Sequence, residues 1–518
     1  MLKKSVWGLL YPLKDAFQSI ELKKDDYTVG KDASCSYVIK DSQLSKIDYN
    51  LLNKKQFKIS KKKDAIYLED VGGTYVNEKK VGPGQKTVLN HNDRIAIAKS
   101  HLKVFVYLDK SRCDEESRNF PAEIGQRYLV SYPLGEGGFG EVSLIFEKDT
   151  GKRFAMKMVK KQPKLLRYIY TETKILQEIN HPCVINTEQV VDTQSVLFIV
   201  LEFMEGGDLL RRVHPKNSIR EADMKLIFFQ LAQAIEYLHQ RSIVHRDIKP
   251  ENILLATKGN ETLIKVADFG VSKILTPGTK MDTHVGTPLY TAPEILNNTH
   301  EVYTKQVDIW SMGIVLYLCL SSQKPFGGKE DIMRAVVQFP PLFWAGISVS
   351  VTDLIKGMLK SSPTQRLRIE QVLSHQWLKD QTMRRKAHYL MWPHKPYVGD
   401  QTAPSFQRGG SYRQQPRGIL QYMSPKGSET MRLPNRALQR PGIGAERYRL
   451  ISPVGKQPAL GTRASGDNLP VPRVQHKPAV GPSVQRSVQF RPQNGGGVRY
   501  EAVKPVKDAI HKFEKKNI

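Results

Sequence analysis

Cysteine is scarce in this chain, with four among 518 residues. Cys35, Cys113, Cys183 and Cys319 lie far apart without any Cys-x-x-Cys spacing, which excludes a compact zinc site and a disulfide scaffold and predicts reduced, mostly buried thiols. Long apolar runs are also missing. No stretch approaches the roughly 20 residues needed to cross a bilayer, so no membrane association is expected. After Met1-Leu2-Lys3-Lys4 the apolar run from Val6 to Leu10 is too short for a secretory signal, and no small-residue cleavage site follows. Acidic residues are in deficit as well: 51 Asp+Glu stand against 79 Lys+Arg, a formal net charge of +28. Residues 379–518 carry 26 basic and 8 acidic residues, a net of +18, which leaves +10 for the first 378. The excess basicity therefore sits mainly in the last quarter. What remains is ordinary for a globular chain, 40% hydrophobic and 25% charged, and long enough for two to four domains.

The most informative stretch is His245-Arg246-Asp247-Ile248-Lys249-Pro250-Glu251-Asn252, followed after the strand-like run Leu263-Ile264-Lys265-Val266-Ala267 by Asp268-Phe269-Gly270. The residue types suit phosphoryl transfer. Asp247 can accept a hydroxyl proton, Lys249 can neutralise charge on the moving phosphoryl group, and Asn252 and Asp268 can hold Mg²⁺ against nucleotide oxygens. Upstream, Gly135-Glu136-Gly137-Gly138-Phe139-Gly140 has a spacing shared with dinucleotide-binding folds. The following Glu141–Phe146 alternates as a strand, whereas a dinucleotide fingerprint opens a helix. The glycines then cap a hairpin that lets the backbone approach phosphates.

Together these residues resemble a protein kinase over about 127–378, and the resemblance assigns further roles. Lys157 in Phe154-Ala155-Met156-Lys157 grips the α- and β-phosphates and pairs with Glu172 of the regulatory helix. Leu134, Gly135, Gly137, Gly140, Val142, Ala155, Glu202, Met204, Asp208 and Asn252 surround ATP, with the backbone of Glu202 and Met204 meeting adenine and Leu201 behind. Lys249 and the segment Gly286–Glu294 point to the serine/threonine class, with Glu294 paired to Arg366 and Asp308 bracing the catalytic loop. Arg246 beside Asp247 implies activation by phosphate on the activation segment, at Thr283 first, Thr287 second and Thr279 third.

Residues 1–110 read as short β-branched or alternating strands separated by Gly, Asp, Asn and Pro, the pattern of a β-sandwich. Gly30-Lys31, Ser45-Lys46 and Glu69–Asn77 resemble the loops of a forkhead-associated (FHA) domain. That resemblance implies phosphothreonine binding through Lys31, Ser45 and Lys46, with charge-assisted hydrogen bonds to phosphate. Lys31 replaces the usual Arg, Asp48 occupies the place of a structural His, and the loop Val71-Gly72-Gly73 lacks the usual Asn. Residues 111–126 are charged and aperiodic and read as an exposed linker. From 379 on, Pro, Gly, Gln and Arg dominate, and a disordered basic tail is expected, suited to phosphate-backbone contact with nucleic acid or chromatin. Residues 506–518 read as a short basic helix, and Arg384-Arg385-Lys386 as a small import-type cluster.

The fold class is therefore multidomain: an all-β FHA sandwich, a bilobal α+β kinase domain and a disordered tail. An FHA module followed by such a kinase resembles the checkpoint kinase 2 family, with local matches at Lys103–Tyr107, Asn180–Cys183, Met204–Gly207 and Ser272–Leu275. The family implies ATP and Mg²⁺ as cofactors, substrates with Arg three residues before the acceptor, transient dimerisation, a nuclear or partly cytoplasmic location, and a DNA-damage or meiotic checkpoint role. The family's amino-terminal Ser-Gln/Thr-Gln cluster has no counterpart here. The alternative function is a phosphopeptide-binding scaffold with weak catalysis, tethered to chromatin or nucleic acid by the tail.

Overall fold

A computed structural model describes residues 5–63, 65–137, 140–161, 177–213, 218–269, 273–274, 288–296 and 304–397. The amino-terminal unit is a sandwich of two sheets. One has six strands in the order Ile20–Leu22, Gly8–Pro12, Lys103–Asp109, Arg94–Ile97, Thr74–Val76 and Lys79–Lys80. The other has five, in the order Tyr37–Val38, Asp26–Gly30, Phe57–Lys62, Ala65–Asp70 and Lys86–Val88. Leu10, Leu22, Val29, Phe57, Ile59, Leu68, Ile95, Phe105 and Tyr107 fill the space between them.

The strands Gly8–Pro12 and Lys103–Asp109 are apolar on both faces, and the packing explains why. Leu10, Phe105 and Tyr107 point into the sandwich, while Leu9, Tyr11, Val106 and Leu108 form a second cluster with Leu129, Leu144 and Phe146 of the next domain. The sequence Lys103–Asp109 thus lacks a polar face because neither side of its sheet meets water.

The connection after the sandwich differs from the irregular linker read from sequence. Lys110–Arg118 is a helix capped by Asp109, whose carboxylate accepts from the Ser111 and Arg112 amides, and Ala122–Gly125 forms a further turn of helix. Cys113 supplies a buried anchor on an otherwise charged helix, a single contact that no periodicity reveals.

The second domain has two lobes. The smaller is an antiparallel sheet in the order Tyr128–Gly137, Gly140–Glu147, Arg153–Lys160, Val196–Glu202 and Thr187–Asp192. The larger is built on helices Glu221–Gln240, Gln306–Ser321 and Val349–Met358. All but the first residue of Gln306–Ser321 is buried, as expected of a helix apolar on every side. A small sheet of Gly207–Asp208, Ile253–Leu255 and Ile264–Val266 carries the loops discussed below.

The folded part continues past Leu378. Asp380 caps a helix Gln381–Met391, and Met383, Ala387 and Met391, spaced four apart, pack it on Glu221–Gln240. Arg384 of the basic cluster donates from Nε to the Leu378 carbonyl at 2.9 Å and lies over Phe229, so it serves packing. The remainder of the expected tail, 398–518, lies outside the described residues. Among the described residues no helix is long and apolar enough to cross a membrane.

Candidate active site and phosphopeptide site

The hairpin Ile253–Leu255/Ile264–Val266 sets Asn252 and Asp268 at the same end of one sheet, with Ile253 opposite Val266 and the Ala267 amide donating to the Asn252 carbonyl at 2.9 Å. Asp308, fully buried, organises the loop before it. Its carboxylate accepts from the amides of His245 at 2.9 Å and Arg246 at 2.8 Å and meets His239 Nε2 at 2.9 Å. Burial alone would raise the Asp308 pKa; the His239 hydrogen bond and charge, the charge of His245 and the Arg246 amide more than offset it, so the carboxyl is held below its usual range. Arg246 and Asp268 lie in the left-handed region, with φ of 72° and 64°, a conformation costly for the arginine and more readily adopted by the aspartate.

Asp247, Lys249 and Asn252 converge. Lys249 Nζ is 2.9 Å from Asp247 Oδ2, and Asn252 Nδ2 donates to the same oxygen at 2.9 Å and to the Asp247 carbonyl at 2.8 Å. Burial would lower the Lys249 pKa, but the neighbouring Asp247, Glu251 and Asp268 raise it, which keeps the ammonium charged. With its amide nitrogen on Asp247, Asn252 retains its amide oxygen as an acceptor. That oxygen and the Asp268 carboxylate are hard donors, a pair that fits Mg²⁺.

From the small lobe, Lys157 reaches Asp268, Nζ to Oδ1 at 2.9 Å. The half-buried Asp268 carboxyl, which desolvation would push up, is instead held down by the charge and hydrogen bond of Lys157, with help from His245 and Lys249. Lys157 is placed by sheet register, opposite Val142 on one side and Ile199 on the other. Gly137 pairs with Gly140 at the hairpin end, and a Cβ on Gly140 would fall 1.8 Å from the Met158 carbonyl, so only glycine fits there. Gly135 has open space around its would-be Cβ. Leu134 and Val142 lie on these same two strands, and Ala155 sits opposite Leu201. At the hinge, the Glu202 carboxylate is held by Lys265 Nζ at 2.7 Å and the Asn186 amide at 2.6 Å, while Met204 is buried. Asp208 caps the turn Leu209–Arg212 and pairs with Arg211 Nε at 2.7 Å. Glu294 and Arg366 form a bidentate buried pair, both bonds 2.6 Å. Glu172, Thr279, Thr283 and Thr287 lie outside the described residues.

At the sandwich, Lys31 rests over the Tyr49 ring, 5.2 Å from its centroid, and its Nζ is 3.4 Å from the Tyr49 carbonyl. Ser45 is also a helix cap. Its hydroxyl caps the helix Lys46–Asn50, accepting from the Asp48 amide at 3.1 Å and donating to the Asp48 carboxylate at 2.8 Å, while Lys99 pairs with Asp48 at 2.7 Å. Lys46 is exposed on that helix. The segment pressed against Gly30-Lys31 is Asn53-Lys54-Lys55-Gln56: the Asp32 amide donates to the Lys54 carbonyl, and a Cβ on Gly30 would lie 2.1 Å from that oxygen. Gln56, fully buried, accepts from the Asn53 amide and donates from Nε2 to the Gly72 and Gly73 carbonyls at 2.7 and 3.0 Å, tying this loop to the next. Asp70 shapes that next loop by accepting from the amides of Gly72, Gly73 and Thr74. Sequence reading missed Asn53–Gln56; the available signal was a polar Gln directly before the buried strand Phe57–Lys62.

This arrangement defines a protein kinase joined to an FHA-type phosphopeptide module. Residues 128–378 match the protein kinase domain and residues 27–98 the FHA domain. The chain is 35% identical over 432 residues to the ovarian-specific serine/threonine-protein kinase Lok of Drosophila melanogaster, covering 75% of this chain and 90% of that protein. It is 32% identical to the serine/threonine-protein kinase chk-2 of Caenorhabditis elegans over 71% of this chain and 82% of the relative. To the meiosis-specific serine/threonine-protein kinase mek1 of Schizosaccharomyces pombe it is 30% identical, over 68% and 82%. The chain belongs to the FHA-containing serine/threonine protein kinases of the checkpoint kinase 2 type.

Proposed function

We propose that this kinase transfers phosphate from ATP to protein serine or threonine in DNA-damage or meiotic checkpoint signalling, acting in the nucleus. One observation carries the reading: an FHA phosphate end and a full set of phosphoryl-transfer residues share one chain that is similar over most of its length to kinases including a meiosis-specific one. Asp247 accepts the proton of the incoming hydroxyl while Lys249, charged and adjacent, compensates the phosphoryl oxygens. Lys157, with Glu172 as its expected partner, orients the nucleotide. Mg²⁺, when bound, supplies charge neutralisation on the phosphates, and Asn252 and Asp268 hold it. Phosphate on Thr283, or on Thr287, completes the activation segment through Arg246.

The module at the front recruits phosphothreonine through Lys31 and the Asn53–Lys55 loop, with Asn53 in the role of the family's later-loop Asn. A Cβ on Gly72 would touch the Asn53 amide nitrogen at 2.4 Å, so this side chain fills the space left by the shortened loop. A phosphorylated neighbouring copy is one ligand for the module, giving transient dimers. Asp208 and Glu251 are the carboxylates offered to an Arg three residues before the acceptor. The tail, with its net +18, contacts nucleic-acid phosphates without reading sequence.

The test is phosphate transfer from labelled ATP·Mg²⁺ to an Arg-x-x-Ser/Thr peptide, wild type against Asp268→Ala, with checkpoint arrest scored in cells carrying each form. Activity and arrest lost together support the reading. Arrest retained with catalysis abolished overturns it.

A further inference from the structure

Arg153 lies at the junction of sandwich and kinase, in the strand that four residues later delivers Lys157. Its side chain is almost fully buried, yet none of its strong partners is a neighbour in sequence. Nη1 donates to the Leu13 carbonyl at 2.6 Å, and Nη2 donates both to the Asp15 carboxylate at 2.6 Å and to the Glu205 carboxylate at 3.1 Å. The guanidinium also lies over the Phe203 ring, 5.1 Å from its centroid. Leu13 and Asp15 belong to the first loop of the sandwich; Phe203 and Glu205 belong to the hinge around Met204. Lys14 adds a second tie from the same loop, 3.5 Å from the other Glu205 oxygen. Two cations and two carboxylates thus close a neutral network from sandwich to hinge.

The apolar packing runs the same way. The cluster of Leu9, Tyr11, Leu13, Val106 and Leu108 holds Phe203 and Leu134 against it, one from the hinge and one from the strand above the expected nucleotide. Ser131 donates to Asn92 at 2.7 Å, and Arg94 lies over Tyr132, so the contact extends along the strand that ends in the glycine hairpin. If this surface only held two domains together, the cation would be needed near the linker. It reaches instead to the hinge, through Phe203 and Glu205.

We propose that Arg153 is a positioning residue of the ATP site, through which the first loop of the FHA sandwich fixes the hinge. A planar fork is needed, because one group must satisfy a carbonyl and two carboxylates in different directions; a Lys ammonium on a flexible stem does so less well. Asp15 is the informative partner. Its side chain is 88% exposed, so replacing it perturbs the fold as little as an ordinary surface change.

The experiment is steady-state kinetics on the full chain, with ATP varied at saturating peptide. Arg153→Met should raise KM for ATP by about fivefold with kcat within about twofold, the mark of lost uniform binding. Arg153→Lys should recover part of that, and Asp15→Asn should raise KM by about twofold on its own. Because both act through one network, Asp15→Asn should add nothing in the Arg153→Met background. The proposal is overturned if Asp15→Asn leaves KM for ATP unchanged, if the two effects multiply, or if Arg153→Met loses only kcat together with melting temperature. Should Arg153→Met fail to fold, Asp15→Asn alone decides the matter.

Discussion

Lys157 of the small lobe and Asp268 of the large lobe meet at 2.9 Å, an ion pair that ties the two lobes together. Asp268 is held below the usual carboxylate range, so it stays ionised wherever the protein is folded and active. Asp268→Asn keeps the shape and removes the charge. Loss of one metal-holding carboxylate is worth several kcal/mol, so kcat should fall by roughly 10³-fold or more, measured by single-turnover phosphate transfer. A fall below about tenfold would show that Asp268 has no part in holding Mg²⁺.

Arg366 has acceptors for all five of its N–H donors: both Glu294 oxygens and the carbonyls of Lys360, Ser361 and Gln306. Its side chain is fully buried and that of Glu294 nearly so. Arg366→Ala removes five hydrogen bonds from a buried carboxylate and three carbonyls, at a cost of about 3–5 kcal/mol. For a domain of this size the melting temperature should drop by roughly 10 °C, read by calorimetry. Arg366→Lys should recover only part, because it cannot reproduce the fork.

The kinase was legible because its residues are clustered in sequence and their chemistry is stereotyped: Asp247, Lys249 and Asn252 stand within six positions, and one hairpin adds Asp268. The loop packing at the proposed phosphate end of the sandwich was not, because Lys31, Asn53, Gln56 and Gly72 come from three loops that are brought together by the Gln56 side chain and by backbone bonds such as Asp32 to Lys54. Ser45-Lys46 satisfies the family's wording, and Ser-x-x-Asp is also a helix cap, which Ser45 makes here. The helix Gln381–Met391 was missed for a related reason. Three apolar residues four apart hold it to a neighbouring helix, and its composition resembles that of the tail beyond.

His181 gives the stability of the large lobe a pH dependence. It is deeply buried between Tyr237 and Trp392, and its Nδ1 accepts from the Cys183 amide at 3.1 Å, which requires the neutral ring. Burial first, then the charges of Lys265 and Arg241, lower its pKa to about 3. In the unfolded chain a histidine takes up a proton near pH 6.5. Between those values the unfolded state binds more protons, so stability falls as pH falls, by up to about 1.4 kcal/mol per unit. Going from pH 7 to pH 5.5 should therefore cost about 1 kcal/mol through this residue alone. His181→Asn, which keeps an acceptor for Cys183, should flatten the urea-derived stability profile by that amount; parallel profiles would rule the assignment out.

On the proposed placement of phosphothreonine, Gln56 sets the shape of its site. By bridging the Asn53 amide to the Gly72 and Gly73 carbonyls it fixes Asn53 and Lys54 beside Gly30-Lys31. A phosphate there would meet Lys31, Lys54 and the Asn53 side-chain amide. Charge-assisted hydrogen bonds of this kind contribute about 1.5–3 kcal/mol each, so Lys31→Ala or Lys54→Ala should weaken a phosphothreonine peptide by about tenfold or more. Gln56→Ala should weaken it as well, with no contact to the ligand, because both loops lose their tie. Ser45→Ala and Lys46→Ala are the counter-test. The Ser45 hydroxyl is occupied by Asp48, so these two should leave the dissociation constant within about twofold by calorimetry while Ser45→Ala loosens its short helix. If instead Ser45→Ala abolishes binding and Lys54→Ala does not, the phosphate lies over the helix Lys46–Asn50 and the assignment to the Asn53–Lys55 loop fails.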